Sequence, residues 1–130
     1  MEFAAELGSS FRPKRLRVLC AEDHGQMAEL IQQVLERAGH DVTCVADGRE
    51  AWERIMENPF MFDAIVTDHQ MPYLTGLELV RKLRAIGFDR KIIVQSSGLT
   101  AQEEAAFRRL GVDAILGKPA GVFELAKRIS

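Results

Sequence analysis

The sequence predicts an α/β fold with helices covering a parallel sheet, and three observations carry that expectation. From Leu16 onward, short apolar runs alternate with amphipathic stretches. Most of the apolar runs are continuous rather than alternating, as strands buried on both faces require. The chain has 130 residues, 47% of them apolar and 28% charged, which suits one globular domain with a sizeable core. That balance excludes wholesale disorder and fibrous repeats.

Each element follows in order. Gly8-Ser9-Ser10 is linker-like, and Pro13 opens a basic entry of Arg12, Lys14, Arg15 and Arg17. We therefore expect a flexible arm over residues 1–14 and a domain over 15–130. No second basic cluster follows, so the entry reads as solvated rather than as a patch for nucleic acid or lipid. The first strand is expected at 16–21. Met27, Leu30, Ile31, Val34, Leu35 and Ala38 then form the apolar stripe of helix one, which ends before Gly39. Strands two to five are expected at 42–45, 64–66, 92–94 and 114–116. Helices two, three and four open at Asp47-Gly-Arg-Glu50, Thr75-Gly-Leu-Glu78 and Thr100-Ala-Gln-Glu103. Each places a side-chain acceptor three residues before a Glu, the capping-box signature. Helix four has the weakest stripe, Ala105, Ala106 and Leu110, and should pack least firmly. Val122, Leu125, Ala126 and Ile129 mark a fifth helix after Lys118-Pro119. Trp52, beside Ala51, Ile55 and Met56, reads as packing, and Cys20 and Cys44, without metal-ligand spacing, read as reduced thiols.

Seventeen Lys and Arg against nineteen Asp and Glu give a net charge of -2, which leaves no electrostatic footprint for direct nucleic-acid binding. No apolar run approaches the roughly 18 residues of a membrane span, and the start lacks the basic region of a signal peptide. A cytoplasmic protein without membrane contact is the expectation.

Ligand sites of open parallel sheets lie beyond the carboxyl ends of the strands. Strand one ends in Glu22-Asp23, strand three in Asp68, strand four runs into Ser96-Ser97, and strand five into Lys118. Carboxylates converging on one crevice repel, and burial raises the cost of their charge. A divalent cation relieves that, and oxygen-only donors with open positions suit Mg2+ or Mn2+. A lysine and a serine hydroxyl suit the oxygens of a phosphoryl group in transfer, and a carboxylate can attack phosphorus to give an aspartyl phosphate. His24 and His69 each follow a site carboxylate. Mg2+ does not favour imidazole, so both read as exposed loop histidines. Asp23 is also placed to cap the first helix.

These residues resemble the receiver domain of two-component response regulators over residues 16–130. The resemblance rests on Glu22-Asp23, on Asp68-His-Gln-Met-Pro72 with Gly76, on Ser96, and on Lys118-Pro119, all in order at strand ends. It implies a flavodoxin-like doubly wound sandwich, a five-stranded parallel sheet of order 2-1-3-4-5 with five helices. It implies that Asp68 accepts a phosphoryl group from a phosphohistidine on a sensor histidine kinase or a histidine phosphotransfer protein. Asp23 would ligate Mg2+ directly, Glu22 largely through water, and Gln70 through its backbone carbonyl, with Asp68 completing the set. Lys118, with a cis bond to Pro119, and Ser96 would bind phosphoryl oxygens. Such a domain is a regulatory phosphoacceptor rather than a conventional enzyme, with a homodimer face along helix four, strand five and helix five.

Four positions depart from the commonest pattern of the family. Glu22 replaces Asp and keeps the charge, while Ser96 replaces Thr and loses a methyl that restricts rotamers. Ile115 stands where many receivers carry the aromatic ring whose rotation reports phosphorylation. Ser97-Gly98 is small and should leave the site open to water. The switch is thus expected to run through the loop 96–100 and helix four, without a ring. A pseudo-receiver, binding partners without phosphate, is the alternative, although it usually lacks an acid, the acceptor or the lysine, and all are present. An aspartyl-phosphate phosphohydrolase would need an acid where Gln70 stands. Twelve residues follow Lys118, too few for an output domain. Output is expected through the receiver's own surface or through domains outside this sequence.

Overall fold

The computed structural model describes residues 14–130. The expected arm, apart from Lys14, lies outside the described residues. Five strands and five helices alternate: β1 (Arg17–Ala21), α1 (Gly25–Arg37), β2 (Asp41–Val45), α2 (Gly48–Glu57), β3 (Ala64–Thr67), α3 (Gly76–Ala85), β4 (Lys91–Ser96), α4 (Ala101–Arg109), β5 (Ala114–Gly117) and α5 (Leu125–Ile129). The strands pair in parallel in the order β2-β1-β3-β4-β5, so the doubly wound sheet is as expected.

Period-two alternation along the strands divides the core into two layers. Val18 and Cys20 of β1, Ala64 and Val66 of β3 and Ile93 of β4 pack on Ile31 and Leu35 of α1 and on Leu125 and Ile129 of α5. Leu19, Ile65, Ile92 and Val94 face the other way, against Ile55 of α2, Leu79 and Leu83 of α3 and Phe107 of α4. Nearly every one of these side chains is fully buried, the larger ones contributing about 1.5–3 kcal/mol each. The central strands therefore have no free face, which explains their unbroken apolar runs. Cys20 and Cys44 are both free thiols, side by side in the β1–β2 register. Trp52 is half-buried against the second layer, with Lys82 Nζ 5.0 Å from its ring centre.

The helix ends are local events. Thr75 and Thr100 each form a complete capping box with Glu78 and Glu103. Asp47 accepts from the Glu50 N–H, but Glu50 reaches back to the Ala46 N–H instead. α1 closes at Gly39, whose φ of 96° lets its N–H reach Glu36 O while the His40 N–H reaches Leu35 O. The Arg84 guanidinium binds four carbonyls at the far ends of α3 and α4: Leu110 (2.8 Å), Gly111 (2.9 Å), Phe88 (2.7 Å) and Arg90 (3.2 Å). It thereby satisfies acceptors that a helix terminus leaves open.

Three expectations are corrected. The buried side of α4 is Ala106 and the fully buried Phe107, whereas Ala105, expected on that side, is exposed. The fifth helical segment opens with a 3-10 turn over Ala120–Glu124 before its α-helical part. Asp23 does not cap α1: the N-cap residue is His24, without a side-chain cap, and the His24 N–H is held at 3.0 Å by Glu22 Oε2.

Candidate functional site

Parallel strands present all their carboxyl ends on one edge, so residues far apart in sequence meet beyond β1, β3, β4 and β5. Glu22 and Asp68 are buried, Asp23 is exposed, and one carboxylate oxygen of each lies within 4.8 Å of the others. Lys118 reaches in from the end of β5, its Nζ 2.5 Å from Glu22 Oε1 and 2.9 Å from Asp68 Oδ2. The other oxygen of Asp68, Oδ1, accepts the His69 N–H at 2.7 Å. Asp68, Gln70, Ser96, Ser97 and Gly98 line a cleft of about 140 Å³ beside this cluster. Glu22, Asp23, Asp68, Gln70, Ser96 and Lys118 are therefore all brought to one place, and the Lys118–Pro119 bond is cis.

Electrostatics explains the arrangement. Burial pushes the Glu22 carboxyl above the ordinary carboxylate value, against the pull of Lys118 and the His24 N–H. Burial alone would lower Lys118, but its bonds to Glu22 and Asp68 outweigh that and hold its ammonium above the ordinary value. One lysine against three carboxylates leaves the crevice negative. The donors are all hard oxygens, and Asp23 is open to water, a set that fits Mg2+. Two glycines make room: a Cβ on Gly76 would stand 2.0 Å from the Asp68 carbonyl oxygen, and one on Gly48 2.2 Å from that of Leu74. Ile115, where an aromatic ring is common, packs half-buried against the α2–α3–α4 layer.

His69 overturns its expectation. It is 6% exposed, not a surface histidine. Its Nε2 lies 2.8 Å from Glu103 Oε2 on α4, and the Leu77 N–H approaches Nδ1 at 3.3 Å. Phe107, one turn after Glu103, meets the ring edge-on with centroids 5.4 Å apart. In the sequence His69 stands out only as a possible metal ligand. No local feature of the sequence marks this burial, because Glu103 is already accounted for by its capping box with Thr100.

Comparison with known proteins agrees with this geometry. The model of the response regulator receiver domain matches residues 18–130. The response regulator MprA of Mycolicibacterium vanbaalenii is 36% identical over 115 residues, covering 88% of this chain and 48% of MprA. The sensory/regulatory protein RpfC of Xanthomonas campestris is 30% identical over 112 residues, 83% of this chain but 15% of RpfC. The chain thus spans less than half the length of either relative. Among solved structures, the receiver domain of the Francisella response regulator 1452 superposes with a TM-score of 0.79 at 31% identity, covering 88% of this chain and 93% of that one. The chemotaxis response regulator CheY4 of Vibrio cholerae, 24% identical with a TM-score of 0.78, shares the fold and covers 90% of this chain and all of its own. With its strand order, its acidic crevice and a family match over nearly its whole described length, the chain belongs to the response regulator receiver domains.

Proposed function

We propose that the domain accepts a phosphoryl group on Asp68 from a phosphohistidine of a sensor histidine kinase or histidine phosphotransfer protein, and so switches its protein contacts. The carrying observation is the double contact of Lys118 Nζ with Glu22 and with Asp68, the residue that also lines the cleft. A carboxylate oxygen of Asp68 attacks phosphorus while the bond from phosphorus to the imidazole nitrogen breaks, and the imidazole leaves with that electron pair. Glu22, Asp23, Asp68 and the Gln70 carbonyl would hold Mg2+, which neutralises charge on the transferring group. Lys118 and Ser96 bind phosphoryl oxygens, and Lys118 shields the attacking carboxylate from its acidic neighbours. The open space at Gly98 leaves the product accessible to water.

Incubation with Mg2+ and acetyl phosphate, read by intact mass, tests this. One added phosphoryl group on the native chain and none on Asp68→Asn are expected; no uptake by the native chain returns the reading to a pseudo-receiver. Rapid turnover of general phosphate esters would indicate a phosphohydrolase. The arm over residues 1–14, the cytoplasmic setting and a homodimer through α4, β5 and α5 belong to the same proposal, and molar mass before and after phosphorylation, measured by light scattering, checks the last. Among the described residues no helix is long and apolar enough to cross a membrane.

A further inference from the structure

A continuous set of contacts joins the proposed phosphoacceptor to α4. The His69 N–H donates to Asp68 Oδ1 at 2.7 Å. With the Leu77 N–H directed at Nδ1, that nitrogen is the acceptor, so the ring hydrogen sits on Nε2 and is donated to Glu103 Oε2. Glu103 Oε1 accepts the Thr100 N–H, and the Thr100 side chain accepts the Glu103 N–H. Thr100 ends the loop that begins at Ser96, on the wall of the Asp68 cleft. The path therefore leaves the acceptor by its neighbour's backbone, enters α4 by a side-chain pair, and returns to the cleft along the loop.

We propose that His69 is a positioning residue that couples the state of Asp68 to α4, doing by a hydrogen bond what Ile115, lacking a ring, cannot do by rotation. The inference rests on the reading of Asp68 as phosphoacceptor. In the unphosphorylated domain the pair holds the first turn of α4 against the segment after β3. The ring is held on three sides, by Leu77, Glu103 and Phe107, so it cannot swing without releasing α4. When a phosphoryl group draws Ser96 inward, Thr100 follows and the Glu103 carboxylate leaves the imidazole. A ligand shifts such an equilibrium only by what it interacts with differently in the two states, and here that difference is the broken pair.

The test uses the whole chain and amide hydrogen exchange over Ala101–Arg109, with and without Mg2+ and beryllofluoride. In the native chain, beryllofluoride should speed exchange in the first turn of α4. In His69→Leu and Glu103→Gln, exchange without beryllofluoride should already be about tenfold faster, at the native bound level, and the ligand should add nothing further. The Glu103→Gln side chain keeps one acceptor for the Thr100 N–H and loses the second, so this variant preserves the cap and guards against misfolding of the His69→Leu chain. The double variant should equal either single one, because both break the same pair. Unchanged exchange in the variants overturns the proposal. So does a rise of equal size with and without beryllofluoride, which would mark a purely structural contact. Acetyl phosphate uptake by the native chain is measured in parallel: its absence refutes the phosphoacceptor reading itself, whereas uptake with an unresponsive α4 refutes the coupling alone.

Discussion

His40 is a second buried imidazole, with a different fate. Its Nδ1 accepts the Leu16 N–H at 3.0 Å and its Nε2 is enclosed without a partner, so a second proton would have to displace the entry to β1. Burial lowers its pKa below the ordinary value of 6.5, with Asp41 pulling weakly the other way. The unfolded chain then binds more protons than the folded one as acid is added. The stability His40 contributes is complete above pH 6.5 and is lost as pH falls through its depressed folded value. Urea midpoints of native protein and His40→Gln, compared at about pH 5 and about pH 8, should differ in slope, with the native chain losing more on acidification. At the site, Gly76→Ala forces a methyl onto the Asp68 carbonyl and should reduce both stability and Mg2+ affinity, by about 2 kcal/mol in folding free energy. Calorimetric titration with Mg2+ alongside a denaturant curve checks it. Glu22, Asp23, Asp68 and Lys118 were legible as residues because charge at the end of an apolar strand has few purposes. His69 was not, since its burial depends on where α4 lands, which no local pattern records.

Helices show the same divide between local and tertiary information. The starts of α2, α3 and α4 were readable because a capping residue and a Glu three positions on act within one turn. Which side chain anchors α4 was not, because Phe107 fills the gap under His69 with one ring. Phe107→Ala should therefore cost about 3–5 kcal/mol, against about 1 kcal/mol for Thr100→Ala. Thermal or urea unfolding of both variants gives the ratio; a smaller loss for Phe107→Ala than for Thr100→Ala would show that α4 is held by its cap and not by its ring. The 3-10 opening before α5 was equally hidden, since an apolar stripe reports a buried face without reporting the turns that lead to it.

At the scale of the molecule, the two-layer packing was visible as alternating apolar and amphipathic segments, but strand order was not. Order depends on which strands pair at a distance, and it was accessible only through resemblance. The charge balance has a global consequence as well. Three carboxylates around one lysine make the folded state store repulsion that a bound divalent cation would release. Asp23→Asn should raise stability in the absence of Mg2+ by about 1 kcal/mol, the size of one exposed charge pair. It should also abolish the Mg2+-dependent rise in melting temperature, which for the native chain should correspond to about 2.7 kcal/mol at about 100 times Kd. Scanning calorimetry with and without Mg2+ checks both signs.

The four carbonyls gathered by Arg84 give α4 a fixed fulcrum at its C-terminal end. A helix of nine residues is about 13 Å long, so it behaves as a short lever whose free arm begins at Ala101. Under the proposed switch, a small swing would be greatest where the Ser96–Thr100 loop meets the helix and would vanish near Arg109. A protein that senses this domain would read the stroke at the first turn of α4, and could grip the Arg84 end in either state.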